Sequence, residues 1–135
     1  MVIMSSENKF TSVSRIDIKV IINRKETLCG QLVRHLAPLT ISEMLRSMPF
    51  HGAVHYSLDT FCYIQTHLNI GQEKSRKKFS KGDITLMTSN GAICFFLKDA
   101  SVEYSMNYIG KVTSKIEKLQ SLRSNDQLTI ASYID

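Results

Sequence analysis

The chain has no tryptophan, only two prolines and six glycines, and three cysteines in 135 residues. No window reaches the roughly 18 to 20 consecutive apolar residues that a membrane-spanning helix needs, which excludes a helical span. The polar stretch from Met1 to Ser14 carries no apolar h-region, so no secretory signal is expected. There is no Gly-x-Ser-x-Gly elbow and no Ser/His/Asp order that would mark an activated serine. There is no glycine-rich loop to cradle phosphates. Cys29, Cys62 and Cys94 form no Cys-x-x-Cys pair and no His/Cys cluster with zinc spacing. They are odd in number, far apart and set in apolar, strand-like runs. Buried free thiols in a reducing cytoplasm are therefore expected, not a disulfide framework. Neither a metal nor a cofactor is expected.

What is present is ordinary soluble usage, 43% hydrophobic and 21% charged residues, which excludes wholesale disorder. A chain of this length folds as one domain and buries roughly two-thirds of its unfolded surface. The formal net charge is +5, and much of the excess sits in Lys74, Arg76, Lys77, Lys78 and Lys81. Such a cluster can bind nucleic acid or an acidic partner. With no known nucleic-acid motif beside it, it reads as a solvated loop.

Along the chain, strand patterns dominate. Arg15 to Ile22 alternates polar and apolar, and Thr27 to Val33 follows the turn Asn23-Arg24-Lys25, so the two form a hairpin. Thr40-Ile41-Ser42-Glu43 has the capping-box pattern. Ile41, Met44, Leu45 and Met48 continue it at helical spacing until Pro49. Strands are expected over Phe50 to His55 and Thr60 to Leu68, then a basic loop over 71–82, then a strand from Asp83 to Met87. Ser89-Asn90-Gly91 is a turn, because Asn and Gly accept positive φ. Ala92 to Leu97 is a near-continuous apolar strand, 99–104 a loop, and Asn107 to Val112 a strand. Ser114 and Glu117 repeat the capping box ahead of a short helix with Ile116, Leu119 and Leu122, and Leu128 to Ile134 closes the chain. Closing such a sheet removes its edges, so a closed barrel of about eight strands with two short helices is expected.

The ordered set Gly82-Asp83-Ile84, Gly91, Ala92-Ile93-Cys94-Phe95-Phe96 and Asn107-Tyr108-Ile109-Gly110-Lys111 resembles the small prokaryotic cyclophilin-like family, a pared-down cyclophilin barrel. Phe50-His51 and the helix from Ser114 to Leu122 fall where cyclophilins place comparable segments. The resemblance covers roughly residues 15–134 and implies one cyclophilin-like domain over 15–135, while residues 1–14, rich in Ser, Asn and Lys, read as a disordered tail. One departure is the family's Trp-Pro-Pro, replaced here by Met87-Thr88-Ser89-Asn90.

Cyclophilins rotate X-Pro bonds, whose barrier is roughly 18–20 kcal/mol. That chemistry needs an apolar pocket for the proline ring and a donor beside the twisted amide. The position of the cyclophilin arginine is Gly52 here, the histidine position falls near Met106, and there is no tryptophan. Phe96 matches a pocket-floor phenylalanine, and Phe61 and Gln65 lie in the strand that carries the family's Phe and Gln. The resemblance therefore implies a non-catalytic module binding a peptide or small hydrophobic molecule near Phe61, Gln65, Met87, Phe96 and Met106. Its alternative is a weak or divergent peptidyl-prolyl cis-trans isomerase. The remaining residues with chemical potential read as structural. His51 and His55 share a strand face in this reading, but positions i and i+4 stand about 13 Å apart, too far to share a metal. Cys94 is inert in an apolar strand, and Asp99 and Glu103 are solvated loop charges.

Overall fold

The computed structural model describes residues 14–133. The expected tail lies outside them except for Ser14, whose carbonyl accepts the Arg34 N–H at 2.7 Å. Ile134, the expected end of the last strand, also lies outside.

The first hairpin forms as its alternation predicts. β1 (Arg15–Ile22) and β2 (Glu26–Val33) pair without a break from Arg15 opposite Val33 to Ile22 opposite Glu26. Asn23 and Arg24 both take positive φ, the twist that a tight hairpin turn needs. A 3-10 turn over Arg34–Leu36 leads into α1 (Pro38–Ser47), which buries Thr40, Ile41 and Met44. Pro38 starts the helix two residues before the expected cap, its fixed φ suiting a first helical position. Thr40 therefore lies inside the helix, and the predicted Thr40/Glu43 capping box does not form. Glu43 pairs with Arg46 one turn on. The helix ends at Ser47, two residues before Pro49, whose peptide bond with Met48 is cis.

The remaining strands are β3 (Phe50–Ala53), β4 (His55–Ser57), β5 (Phe61–Ile64), β6 (Arg76–Phe79), β7 (Asp83–Met87), β8 (Ala92–Phe96), β9 (Ala100–Val112) and β10 (Gln127–Ser132). All pairings are antiparallel, and the ladder runs β3-β10-β1-β2-β9-β7-β8-β5-β4, with β6 added alongside β9. The mainly-β expectation holds, with ten strands among the described residues. The closed barrel is not confirmed. The two ends of the ladder, β3 and β4, are separated by Val54 alone and do not pair. Val54 N–H donates to the Asp126 carbonyl and its own carbonyl accepts from Asn125. The chain is thereby turned, and β4 pairs with β5 instead. The same break places His51 on β3 and His55 on β4, so the two do not share a strand.

Three further expectations change. Residues 100–106 extend the expected strand, and β9 reaches thirteen residues by pairing successively with β6, β7 and β2. The basic run is a strand over Arg76–Phe79. The second capping box is not used. Ser114 Oγ instead accepts the Cys29 N–H at 3.0 Å, and α2 is the single turn Glu117–Gln120.

The sheet carries two apolar layers. The inner one gathers Ile18, Leu28, Leu32, Ile84, Leu86, Ile93, Phe95 and Ile109 under α1. The outer one gathers Phe61, Phe79, Ala92, Cys94, Phe96 and Met106. β8 divides its side chains between the two, so all five are buried. A strand covered on both faces reads as a continuous apolar run, which is the pattern of 92–97.

Candidate functional site

Four of the five expected ligand residues meet. Phe61 and Phe96 are direct cross-strand partners on β5 and β8, with ring centroids 5.2 Å apart. Met106 packs with them, its sulfur accepting from the Thr85 hydroxyl at 3.1 Å, and Met87 lies at the margin, half-buried. The layer is filled. Phe79 from β6 lies over Phe96 with centroids 4.8 Å apart, and Phe96 has no exposed surface. Arg76 from the same strand stands 5.6 Å from the Phe79 ring and 4.2 Å from that of Tyr108. Desolvation chiefly, then the charge of Asp83, raises the Tyr108 hydroxyl above its ordinary range, and Arg76 opposes them.

Gln65 stands apart from these four. It leaves the end of β5, hydrogen-bonds the Asn90 carbonyl, and lines a cleft of about 850 Å³ between α1 and residues 65–71. The cleft has a simple origin. β3 touches β5 at Gly52, where an added Cβ would stand 3.3 Å from Ile64 Cβ. At that point β5 ends, and the cleft opens between Pro49–His51 and residues 65–71. Ser42 and Arg46 of α1 form one wall, Pro49 and His51 another, and Gln65 and Asn69 face them. Antiparallel alternation turns the main-chain groups of His51 away from β10, because those of Val54 are drawn to the β10 side.

The 65–75 segment is pinned by two devices. Thr66 Oγ1 donates to the Gly91 carbonyl at 2.5 Å and accepts the Leu68 N–H at 3.1 Å. Gly91, at φ +77, brings the 88–91 turn so close that a Cβ there would lie 2.6 Å from the Leu68 oxygen. Further on, the Glu73 carboxylate caps α1 from outside the helix. It accepts the Leu39 N–H at 3.0 Å and both the N–H and the hydroxyl of Thr40 at 2.7 Å. Asn107, fully buried on β9, accepts the Glu73 N–H and donates to Thr40 Oγ1 and the Gly71 carbonyl. Partial desolvation raises the Glu73 pKa, but the hydrogen bonds and Lys74 outweigh it and hold the carboxyl below its ordinary range.

Sequence reasoning missed Glu73, Asn107 and Phe79. The available signals were a lone acid in a basic run, a polar residue in an apolar strand, and a single aromatic after three cations. Of the thiols, Cys62 and Cys94 are buried as expected, and desolvation pushes both up to about 12. Cys29 is exposed, because it lies on the outward face of β2, and its sulfur stands 3.3 Å from the Tyr133 hydroxyl. Among the described residues, no three His, Cys, Asp or Glu side chains gather to hold a metal, and no helix is long and apolar enough to cross a membrane.

Residues 36–131 match the Cyclophilin-like family. The chain belongs to that family. Among solved structures, a hypothetical protein from Archaeoglobus fulgidus matches with a TM-score of 0.73 and 16% identity over 90% of this chain and 98% of its own. McbB, solved in complex with tryptophan, matches with a TM-score of 0.70 and 11% identity over 87% of this chain but only 45% of its own. At these identities the likeness is one of fold. No curated protein matches the sequence. The cyclophilin-like segment Ile109-Gly110-Lys111 has a steric basis in this chain. At Gly110, β9 passes so close to β2 that a Cβ would stand 2.0 Å from the Gln31 carbonyl oxygen.

Proposed function

We propose that this cyclophilin-like domain is a non-catalytic binding module for a peptide or small hydrophobic molecule, and that the ligand lodges in the cleft between α1 and residues 65–71. One contrast supports this reading. The apolar layer around Phe96 is filled by Phe79, whereas the wedge beside Gln65 stands open at about 850 Å³. A ligand of drug or short-peptide size fits such a volume. Gln65 and the free main-chain edge at His51 contact it in this reading, and Phe61, Met87, Phe96 and Met106 form the packed layer behind. The domain works in the cytoplasm, where three free thiols persist.

A second reading, a weak peptidyl-prolyl isomerase, is favoured by one observation. Arg76 returns a guanidinium to the rim of the Phe61/Phe96 floor, although the sequence position of the cyclophilin arginine is Gly52. That reading requires Phe79 to withdraw.

One titration separates the two. The 15N-labelled domain is mixed with an Ala-Ala-Pro-Phe tetrapeptide and with a small-fragment set, and turnover of the tetrapeptide is measured beside a true cyclophilin. Shifts confined to His51, Gln65 and Asn69 with background turnover support the binding module. Shifts at Phe61 and Phe96 with turnover support the isomerase. An absence of shifts throughout overturns both.

A further inference from the structure

The fold changes the meaning of the basic run. Lys74, Arg76, Lys77, Lys78 and Lys81 are all exposed, and the strand among them, β6, pairs with β9 on one side only. None of the five forms an ion pair among the described residues. Each nearby acid except one accepts a backbone N–H. Glu73 caps α1, Asp83 accepts the Ser80 N–H, and Asp99 accepts the Lys81 N–H. Glu103 is the exception. Five cations therefore stand against the four acids Glu73, Asp83, Asp99 and Glu103 along this edge.

The second observation is an aromatic that the sequence order conceals. The register steps from Ser101 opposite Lys78 to Met106 opposite Arg76. Val102 to Ser105 thus bulge opposite Lys77 alone. Tyr104 sits on that bulge and is 69% exposed. A tyrosine ring left in water beside an unpaired basic edge offers a stacking platform next to phosphate-binding charges. Arg76, already held over Tyr108 at 4.2 Å, presents its guanidinium at a fixed place on the same edge.

We infer that β6 and the Tyr104 bulge form a docking edge for single-stranded nucleic acid. The cations track the backbone and Tyr104 stacks on a base. Double-stranded helices keep their bases stacked inside and offer no free face to this ring, so a single strand is the better fit. This surface is distinct from the cleft and independent of what the cleft binds.

The test uses the full chain and a fluorescein-labelled twelve-residue oligothymidylate, read by anisotropy. For single strands the slope of log affinity against log salt is about −0.7 per phosphate contacted. Five contacts give about −3.5, a loss on the order of a hundredfold between 50 and 200 mM salt. The double change Lys77→Ala and Lys78→Ala reduces the slope to about −2. Tyr104→Ala weakens binding about tenfold, and Tyr104→Phe does not. Tyr104 is exposed, so these two variants fold. No binding at 50 mM salt overturns the inference. Unchanged binding by Tyr104→Ala also overturns it, because charge alone is then responsible. Equal competition by a duplex or by polyglutamate overturns it in favour of unspecific or acidic-protein binding.

Discussion

Phe79 lies across Phe96 with ring centroids 4.8 Å apart and planes inclined by 34°. One edge strand thus covers the Phe61/Phe96 surface. Phe79 is 5% exposed and is the side chain by which β6 enters the outer layer. Phe79→Ala is expected to cost about 3 kcal/mol in urea unfolding, the usual range for a buried phenylalanine. It also uncovers Phe61 and Phe96, so an apolar dye binds the variant and not the parent. Turnover of a proline tetrapeptide stays at background. A rise in turnover that Arg76→Ala then abolishes would establish the isomerase reading instead.

The Glu73 cap predicts a pH dependence with a definite sign. The folded carboxyl titrates below its ordinary 4.5. Its contribution is therefore complete above the unfolded value and is lost as pH falls through the folded one. Glu73→Gln removes that component. It is expected to cost about 1 kcal/mol at pH 7, the usual size of a lost helix cap. The difference from the parent shrinks as pH drops from 5 towards 3. Unfolding free energies measured across that range check it, and a difference independent of pH would show that the charge is not what caps α1.

How much of this was legible follows from the range of each signal. The β1/β2 hairpin and the buried face of α1 are written in local periodicity, and both appear where the pattern puts them. The apolar run at 92–97 reads correctly as a strand, and its lack of alternation reflects burial on both faces. Glu73 was not legible, because its partners on α1 lie 33 and 34 residues away and the local capping box offered a nearer answer. β6 was not legible either. Three consecutive cations carry no alternation, and the strand exists because Phe79 has a hole to fill and β9 has a free edge. The closed barrel is not confirmed, because the backbone bonds of a single residue, Val54, redirect the chain between the two ends of the ladder. Of the five expected site residues, Gln65 parted from the others because β5 ends at Ile64 and the chain then leaves the sheet.

Gly110 and Gly71 make a matched pair for testing the close approach of β9 to β2. A Cβ at Gly110 would meet the Gln31 oxygen at 2.0 Å and Leu32 Cα at 2.9 Å, both backbone atoms that cannot swing aside. At Gly71 a Cβ meets nothing within 4 Å. Gly110→Ala is expected to destabilise by about 3 kcal/mol, at the upper end for overpacking, because strand must move rather than side chain. Gly71→Ala is expected to change stability by less than about 0.5 kcal/mol. Equal effects in thermal unfolding would mean that the two strands are free to separate at Gly110.

The thiols give a test of the outer layer that needs no substitution. Cys94 lies in that layer and Cys62 in the inner one, and desolvation pushes both up to about 12, so neither forms the reactive thiolate at neutral pH. Cys29 is exposed on β2. A disulfide reagent at pH 8 is expected to titrate one thiol of the native chain and all three after guanidinium is added. The linkage runs the same way. Each raised thiol contributes stability that is fully present below its ordinary value near 9 and is lost as pH rises towards about 12. Slow native labelling at Cys94 but not at Cys62 would locate an opening of the outer layer alone, with β6 lifting while the sheet stays folded. That opening is the motion the isomerase reading requires, so its rate bounds any turnover the domain could show.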